Sequence, residues 1–243
     1  MEVRGTAAGG LTVGELAGPS PVRDAPRAPA LSLRGISKRW GPAQVLDGVD
    51  LDIEPGERVW VGGRNGAGKT TLLRIAAGLI LPDSGEVELH GLHAERNRRA
   101  FHRRLGFLAA GNTALYARLS ATNNLDFWAG IALVPRRRRR AAIEAAIARF
   151  GIEELADRRV DRMSMGQRQR VRLAATFLHD PDVVLLDEPE TSLDDEGLAL
   201  LGEVLDDHVA RGGAAIICSP TRERLGVPVD SGVLIDGGRV MPA

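Results

Sequence analysis

The sequence predicts an α/β fold in which a mostly parallel β-sheet carries an inserted helical lobe. Two short apolar runs, at 183–186 and 215–218, are bounded by residues that break regular structure. Such runs are typical of central strands in a parallel sheet that is covered on both faces. A helical pattern dominates from about residue 96 to residue 178 and includes the strong helix former AAIEAAIARFG at 141–151. We expect this stretch to form the lobe.

Three segments near the N-terminus are expected to be strands. They lie at 31–36, 45–53 and 58–61, and their short apolar or alternating patterns are typical of strands. We expect N-terminal antiparallel strands to lie beside the parallel sheet. Residues 1–30 are rich in Gly, Ala and Pro without a sustained period, so we expect a flexible tail followed by one domain at 31–240.

Composition sets limits on the class of protein. A chain of 243 residues with 44% hydrophobic and 26% charged residues is long enough for a substantial core and typical of globular proteins. The 32 basic and 32 acidic residues cancel, so the overall field does not indicate a nucleic-acid binder. We therefore expect no nucleic acid among the partners.

The sequence also bears on location. No stretch approaches the roughly 18 uninterrupted apolar residues of a membrane helix, so a membrane role would need a partner. Glu2 and Glu15 interrupt an N-terminus that lacks the pattern of a secretory signal. The single cysteine, Cys218, precludes an internal disulfide and suits a reducing compartment. We expect a cytoplasmic protein.

The strongest motif is GRNGAGKT at 63–70, which fits the phosphate-loop pattern GxxxxGK[ST] at every fixed position. It lies between a predicted strand and a predicted helix, where glycines let backbone N–H groups surround phosphate oxygens. Lys69 would reach the β and γ phosphates, and the Thr70 hydroxyl would bind Mg²⁺. The residues expected to contact the nucleotide here are Gly63, Arg64, Asn65, Gly66, Ala67, Gly68, Lys69, Thr70 and Thr71.

A second motif, VVLLDE at 183–188, is an apolar strand that ends in two carboxylates. It would place Asp187 and Glu188 at the sheet edge that also holds the phosphate loop. Asp187 would orient Mg²⁺ through a water, and Glu188 would act as general base toward the attacking water. Taken alone, the segment could be an ordinary strand end; the phosphate loop upstream favours the catalytic interpretation.

A third motif follows without a break, and the stretch 164–194 resembles the ATP-binding cassette (ABC) transporter family. Ser164, Gly166 and Gln167 are similar to the family signature LSGGQ, with Met163 and Met165 in place of its first Leu and first Gly. In the family this segment closes over the γ-phosphate bound by the opposite subunit. The alternative is an ordinary polar N-cap before a helix at 168–178.

The resemblance covers residues 31–240 and implies more than the motifs state. It implies a P-loop NTPase with a RecA-like core, ATP and Mg²⁺ as cofactors, and a homodimer or heterodimer of ATP-binding subunits. It also implies an integral membrane permease, so that the chain would be peripheral at the inner face of the cell membrane.

The segment 115–131 resembles bacterial exporter subunits. Trp40 stands where the family usually stacks a tyrosine on adenine; a half-buried surface aromatic is the alternative.

Two departures from the family concern hydrolysis. Ala110 or Gly111 stands where the family carries a glutamine, with Asn112 as a nearby source of an amide. Pro220 stands where the family carries a histidine, and proline offers neither a side-chain donor nor an N–H. We expect intact ATP binding with slow hydrolysis. Two other functions are alternatives to a hydrolysing transporter subunit. One is a degenerate ATP-binding subunit beside an active partner, and the other is a soluble cassette ATPase of translation or DNA repair.

Two further features of the sequence are possible sites. The arginine run at 136–140 could contact lipid or nucleic acid, but it lacks the aromatic residues that stack bases, so a solvated helix start is favoured. His90, His93 and His102 lack acidic or sulfur partners at zinc-site spacing. We expect them to be surface residues.

Overall fold

The computed structural model describes residues 28–111 and 113–243, so the expected tail lies almost wholly outside the described residues. The described strands are β1 (Leu31–Trp40), β2 (Ala43–Ile53), β3 (Arg58–Gly62), β4 (Ser84–Leu89), β5 (Leu92–His93), β6 (Leu105–Leu108), β7 (Val183–Asp187), β8 (Ala214–Cys218), β9 (Ser231–Asp236) and β10 (Arg239–Pro242). The described α-helices are α1 (Lys69–Ala76), α2 (Arg98–His102), α3 (Ala121–Ile131), α4 (Arg136–Arg149), α5 (Met165–Phe177), α6 (Asp195–Ala210) and α7 (Arg222–Leu225).

The central sheet has the strand order β10-β9-β3-β8-β7-β6. Its pairs are parallel except for the β9–β10 hairpin, which is antiparallel. Every residue of β7 and β8 is buried, which confirms the predicted parallel sheet covered on both faces. Because β3, β7 and β8 run in the same direction, the phosphate loop, Asp187 and the chain after Cys218 all lie at one edge of this sheet.

The N-terminal antiparallel strands are also confirmed. A four-stranded sheet has the order β2-β1-β4-β5 and antiparallel pairing throughout. Ala30, within the stretch expected to be a tail, is fully buried, and its N–H donates to the Ile53 carbonyl at 2.8 Å. The ordered fold therefore begins at least one residue before residue 31.

The short β4–β5 hairpin corrects one expectation about the histidines. Their sequence spacing showed no acidic partners, but the ring of His93 lies 2.9 Å from Glu88 and 3.6 Å from Glu86. The ring of His90 lies 3.9 Å from an oxygen of Asp182. Glu86 and Glu88 are close to His93 in sequence, but the pairing of β4 with β5 is what brings their side chains together. Asp182 is distant from His90 in sequence.

The helical lobe is built from α3, α4 and the first part of α5, which pack on one another. Phe150 and Phe177 are buried with their ring centroids 5.7 Å apart. Within the range predicted for the lobe, β6 instead pairs with β7 in the central sheet. Among the described residues, no helix combines the length and apolar character that crossing a membrane requires.

Candidate functional site

The phosphate loop is the turn between β3 and α1. Gly63 and Gly68 both have positive φ, at 138° and 112°, which disfavours residues with a side chain. A Cβ at Gly63 would lie 2.7 Å from the Ile235 carbonyl oxygen, and one at Gly68 would lie 3.0 Å from that of Val45. Glycine is therefore required at both positions by conformation and by close approach.

Lys69 begins α1 and turns its ammonium back into the loop. The side chain is buried, and Nζ donates to the carbonyl oxygens of Gly63 at 2.7 Å and Arg64 at 3.1 Å. A buried cation held by neutral carbonyls favours a nearby anion, because carbonyl dipoles offset only part of the cost of removing the charge from water. The loop thus presents positive charge where phosphate oxygens would bind.

Thr70 and Asp187 are brought together although 117 positions separate them. The Thr70 hydroxyl donates to the Asp187 carboxylate at 2.8 Å. Burial raises the pKa of the Asp187 carboxyl, the nearby Glu188 charge adds to the rise, and the hydrogen bond from Thr70 opposes it. A hydroxyl and a buried carboxylate are oxygen ligands of the kind that Mg²⁺ prefers, so these two residues fit the metal role predicted for them.

Glu188 follows β7 in a strained conformation. Its φ is 51°, in the left-handed region that costs residues with a side chain on the order of 1–3 kcal/mol. The Glu188 N–H donates to the Cys218 carbonyl of the neighbouring strand at 2.9 Å, which holds this turn in place. Such strain at the end of a central strand is common where a side chain must face a site.

One cavity of about 450 Å³ collects most of the predicted site residues. Its lining residues are Trp40, Val45, Asn65, Gly66, Gly68, Lys69, Thr70, Thr71 and Glu188. Gly63, Arg64 and Ala67 belong to the same loop but do not line the cavity. Trp40 is 52% exposed, and the Lys38 ammonium lies 5.0 Å from the centre of its ring.

The signature-like segment lies elsewhere on the chain. Ser164 caps α5: its hydroxyl accepts from the Gln167 N–H at 3.2 Å, and the Gln167 side-chain oxygen accepts from the Ser164 N–H at 3.0 Å. A Cβ at Gly166 would lie 2.9 Å from the Ser192 carbonyl oxygen. The polar N-cap considered as an alternative is therefore present, and within one chain the three residues do not line the cavity that holds the phosphate loop.

Sequence reasoning missed a buried acid beside the site. Glu190 is 7% exposed and accepts a hydrogen bond from the Ser219 hydroxyl at 2.6 Å, while its second oxygen is buried without a hydrogen-bond partner. Burial raises the pKa of Glu190, and the Glu188 charge adds to this rise. Ser219 immediately precedes Pro220, so this pair lies where the family histidine is missing. The sequence signal that could have indicated this acid is the second glutamate of DEPE at 187–190, which is Glu190.

The position of the missing glutamine is partly described. The Ala110 backbone N–H faces the Asp187 carboxyl and slightly opposes the rise of its pKa that burial causes, so the loop after β6 approaches the metal-binding pair through its backbone. Gly111 has a φ of 78°, which turns the chain away at this point. Asn112, considered as a source of an amide, lies outside the described residues.

Replacing Glu190 with the neutral isostere Gln is expected to stabilise the chain at high pH. A carboxyl with a raised folded pKa binds its proton more tightly when folded, so stability falls as pH rises from the unfolded value through the folded one. Glu190→Gln should remove this fall and raise Tm by a few degrees at pH 8, since about 1 kcal/mol corresponds to roughly 2–4 °C. Thermal unfolding between pH 4 and pH 9 measures it; equal slopes for both proteins would contradict the prediction.

Restoring the family histidine is expected to accelerate hydrolysis. Pro220→His would supply a donor toward the γ-phosphate, and a well-placed donor to developing charge contributes on the order of 10²-fold. We expect a rise of at least about tenfold, since the loop is not otherwise adapted to the histidine. Steady-state phosphate release with Mg²⁺ and ATP measures this, with Pro220→Ala as the control. Unchanged turnover would show that the missing histidine does not limit the rate.

A second cavity, of about 470 Å³, lies on the lobe side of β6 and is mainly apolar. Arg172 of α5 lines it and is 5% exposed. Its guanidinium donates to the Gln169 side chain at 2.6 Å and to the Ala109 carbonyl, and burial lowers its pKa. Its Nε is buried without a hydrogen-bond partner. The cavity therefore combines apolar walls with one buried cation.

A glycine-constrained phosphate loop, a Thr–Asp oxygen pair and a second carboxylate directly after that Asp define a P-loop nucleoside triphosphatase. The model of the ABC transporter family matches residues 46–191. The chain belongs to this family as an ATP-binding subunit with ATPase activity. The resemblance identified in the sequence is confirmed.

Relatives and solved structures agree with this family. The chain is 35% identical over 193 residues to the ABC transporter ATP-binding protein NatA of Bacillus subtilis, covering 79% of this chain and 78% of NatA. It is 37% identical over 189 residues to the cytochrome c biogenesis ATP-binding export protein CcmA of Methylococcus capsulatus, covering 78% and 90%. A solved ATP-binding subunit of an ABC transporter superposes with a TM-score of 0.78 at 25% identity, covering 87% and 88%.

Proposed function

We propose that the chain binds ATP with Mg²⁺ in the cavity lined by Trp40, Lys69 and Glu188 and uses hydrolysis to power a separate membrane permease. The observation that carries this proposal is the convergence of the aromatic, cationic and carboxylate side chains on one cavity of about 450 Å³. Trp40 would stack on the adenine ring, because an indole face binds flat aromatic rings well. The loop N–H groups and Lys69 would hold the phosphates.

Each polar side chain at the sheet edge then has one role. Thr70 and Asp187 would hold the Mg²⁺ ion, which neutralises charge on the β and γ phosphates. Glu188 would accept a proton from the water that attacks the γ-phosphate. The strained backbone at Glu188 supports this assignment, because it fixes the carboxylate at the cavity wall.

We further propose a head-to-tail dimer, either of two copies or with a related subunit. Ser164, Gly166 and Gln167 stand at the N-terminus of α5, where the positive end of the helix dipole favours an anion. They lie away from the phosphate loop of their own chain, so they would complete the γ-phosphate site of a partner. ATP would then hold the two subunits together, and hydrolysis would release them.

The dimer is tested by molar mass in solution, measured by light scattering. Glu188→Gln with Mg²⁺ and ATP is expected to run as a dimer, because bound ATP persists at the interface. Gly166→Val in the same background should stay monomeric, since its Cβ would crowd the Ser192 carbonyl. A monomer at saturating ATP in the Glu188→Gln protein would refute a homodimer and favour a heterodimer or a partner-dependent assembly.

The apolar cavity around Arg172 is the proposed docking site for the permease. Apolar walls suit a helical segment, and the incompletely paired guanidinium suits an acidic side chain on it.

One of the structural neighbours, cbiO1 of Clostridium perfringens, is described as part of the ABC transporter complex cbiONQ. It superposes with a TM-score of 0.75 at 25% identity, covering 88% of each chain. This neighbour supports assembly with other subunits, and we propose that the chain lies at the inner face of the cell membrane through its permease.

A pair of matched variants tests this docking site. Ile131 lines the cavity and is 60% exposed, whereas Leu81 lies elsewhere and is 59% exposed. Ile131→Glu is expected to weaken co-purification with the permease at least tenfold, because one buried charge costs well above 1.4 kcal/mol. Leu81→Glu should leave it unchanged. Equal co-purification of both variants would move the docking site elsewhere.

Export is the proposed direction. The segment 115–131 resembles exporter subunits, and relatives include CcmA, whose name describes an export protein, and the daunorubicin resistance protein DrrA3 of Streptomyces coeruleorubidus, 34% identical over 212 residues that cover 87% of this chain and 67% of DrrA3. Transport assays in membrane vesicles with the cognate permease would test the direction. ATP-dependent accumulation inside inverted vesicles is the expected result, and accumulation inside right-side-out vesicles would indicate import.

A further inference from the structure

The β4–β5 hairpin brings three metal-ligating side chains together on one face. Glu86 and Glu88 are two residues apart on β4, so their side chains point to the same side of the sheet. His93 of β5 pairs directly with Glu88 in the antiparallel register. The connecting residues His90 and Gly91 both have positive φ, at 46° and 74°, as the two-residue turn of a tight hairpin requires. The turn therefore fixes the register that places the imidazole between two carboxylates.

The donor atoms already lie close to one another. The His93 Nε2 atom is 2.9 Å from Glu88 Oε1, and its Nδ1 atom is 3.6 Å from Glu86 Oε2. One ligand atom from each of the three side chains can be chosen so that all lie within 4.8 Å of one another. Ligands of a bound Zn²⁺ ion stand about 2.0–2.2 Å from the metal, which puts them a little over 3 Å apart. Because one ion binds one ring nitrogen, the Glu86 carboxylate would turn from Nδ1 toward Nε2, the nitrogen that Glu88 faces.

The backbone of His93 is held in place by a neighbour in the following turn. The His93 backbone N–H donates to the Asn97 side-chain oxygen at 3.1 Å, and the Asn97 backbone N–H donates to the His93 carbonyl at 2.9 Å. A ligand on a fixed backbone loses less conformational freedom when it binds a metal than one on a free surface segment does. The His93 side chain is also only 27% exposed, so its ring is partly removed from competing solvent.

Space for the remaining ligands lies beside the three side chains. Glu86 and His93 line a cavity of about 360 Å³ between the β4–β5 hairpin and the end of α1. This cavity is distinct from the nucleotide cavity, whose lining includes none of the three residues. It offers room for one or more waters in the coordination positions that three protein ligands leave open.

We propose that Glu86, Glu88 and His93 bind a divalent transition-metal ion of the Zn²⁺ class. An imidazole with two carboxylates is a donor set that suits Zn²⁺, whereas Mg²⁺ and Ca²⁺ prefer oxygen ligands alone. The ion would also neutralise two carboxylates that otherwise repel each other at short range. It would bridge β4 to β5 and so fasten the end of the antiparallel sheet.

Calorimetric titration of the tag-free full chain with ZnCl₂, in excess Mg²⁺ to occupy oxygen-only sites, tests the proposal. We expect one Zn²⁺ per chain with a micromolar dissociation constant. His93→Gln and Glu88→Gln should each weaken binding at least about tenfold, as the loss of one ligand or of its support does. The control His90→Asn changes an adjacent histidine to a residue that tolerates positive φ, and it should leave zinc affinity unchanged.

Two results would overturn the site. The first is zinc binding of unchanged affinity in His93→Gln, which would place the ion elsewhere. The second is no binding by the unaltered chain at millimolar ZnCl₂, which would leave His93 as an ion-pair partner of the two glutamates. Circular dichroism checks that the variants fold. Co²⁺ absorption in the visible range, expected for the unaltered chain and lost in His93→Gln, gives a second readout independent of heat.

Discussion

Lys69→Ala is expected to abolish useful ATP binding, with an affinity loss of at least about 100-fold. Hydrogen bonds to charged groups contribute about 1.5–3 kcal/mol each, and the Lys69 ammonium would bridge two phosphates. The substitution also removes the ammonium from which the Gly63 and Arg64 carbonyls accept hydrogen bonds. Isothermal titration with Mg²⁺ and ATP measures the loss.

A surface cation provides the control for Lys69. Arg140 is highly exposed and pairs with Glu144 one turn along α4, so Arg140→Ala removes the same unit of charge far from the phosphate loop. Its ATP affinity should equal that of the unaltered chain. If Lys69→Ala bound ATP within threefold of the unaltered chain, the assignment of the phosphate loop as the binding site would be wrong.

Glu188→Gln is expected to lower steady-state turnover by about 10²- to 10⁴-fold, the usual contribution of a positioned general base. The amide preserves the shape of the side chain but cannot accept the proton of the attacking water. ATP affinity should rise by less than a few-fold. The direction is upward because the substitution removes one negative charge near the phosphates. Phosphate release under saturating ATP measures turnover.

Glu203→Gln, on the exposed face of α6, is the control for Glu188 and should hydrolyse ATP at the normal rate. Equal turnover of the Glu188→Gln and unaltered proteins, with ATP binding verified, would indicate either a degenerate subunit or one that its permease alone activates. Adding the permease separates these two cases, since only the second would then show hydrolysis that depends on Glu188.

Sequence patterns predicted the central architecture because its signals are local. The apolar runs of β7 and β8 needed no partner to be recognised, and the phosphate loop is a contiguous motif between a strand and a helix. The elements that were missed depend on tertiary context. The Glu190–Ser219 hydrogen bond spans 29 positions, and the pairing of His93 with Glu88 depends on a two-residue turn whose residues are compatible with many conformations.

The signature-like segment shows a different kind of difficulty. Ser164 and Gln167 satisfy each other's backbone N–H groups in a capping box, which is a local stabilising role that any helix start could use. The same residues at the same spacing would be seen whether they only cap the helix or also bind a partner's nucleotide, so the sequence does not distinguish the two roles. The pattern predicts a helix from residue 168, whereas α5 begins at Met165, and it leaves the partner-facing role to a dimerisation experiment.

The left-handed turn at Glu188 has a consequence for how this chain can change over evolutionary time. Glycine would adopt the same φ without strain, so a search for thermostability alone would favour replacing the residue on which turnover depends. Variants selected only for thermal stability would therefore tend to lose ATP hydrolysis through substitution at position 188. Retention of glutamate there thus indicates continued selection for ATP hydrolysis. A lineage with glycine at this position would have gained thermal stability and lost hydrolysis.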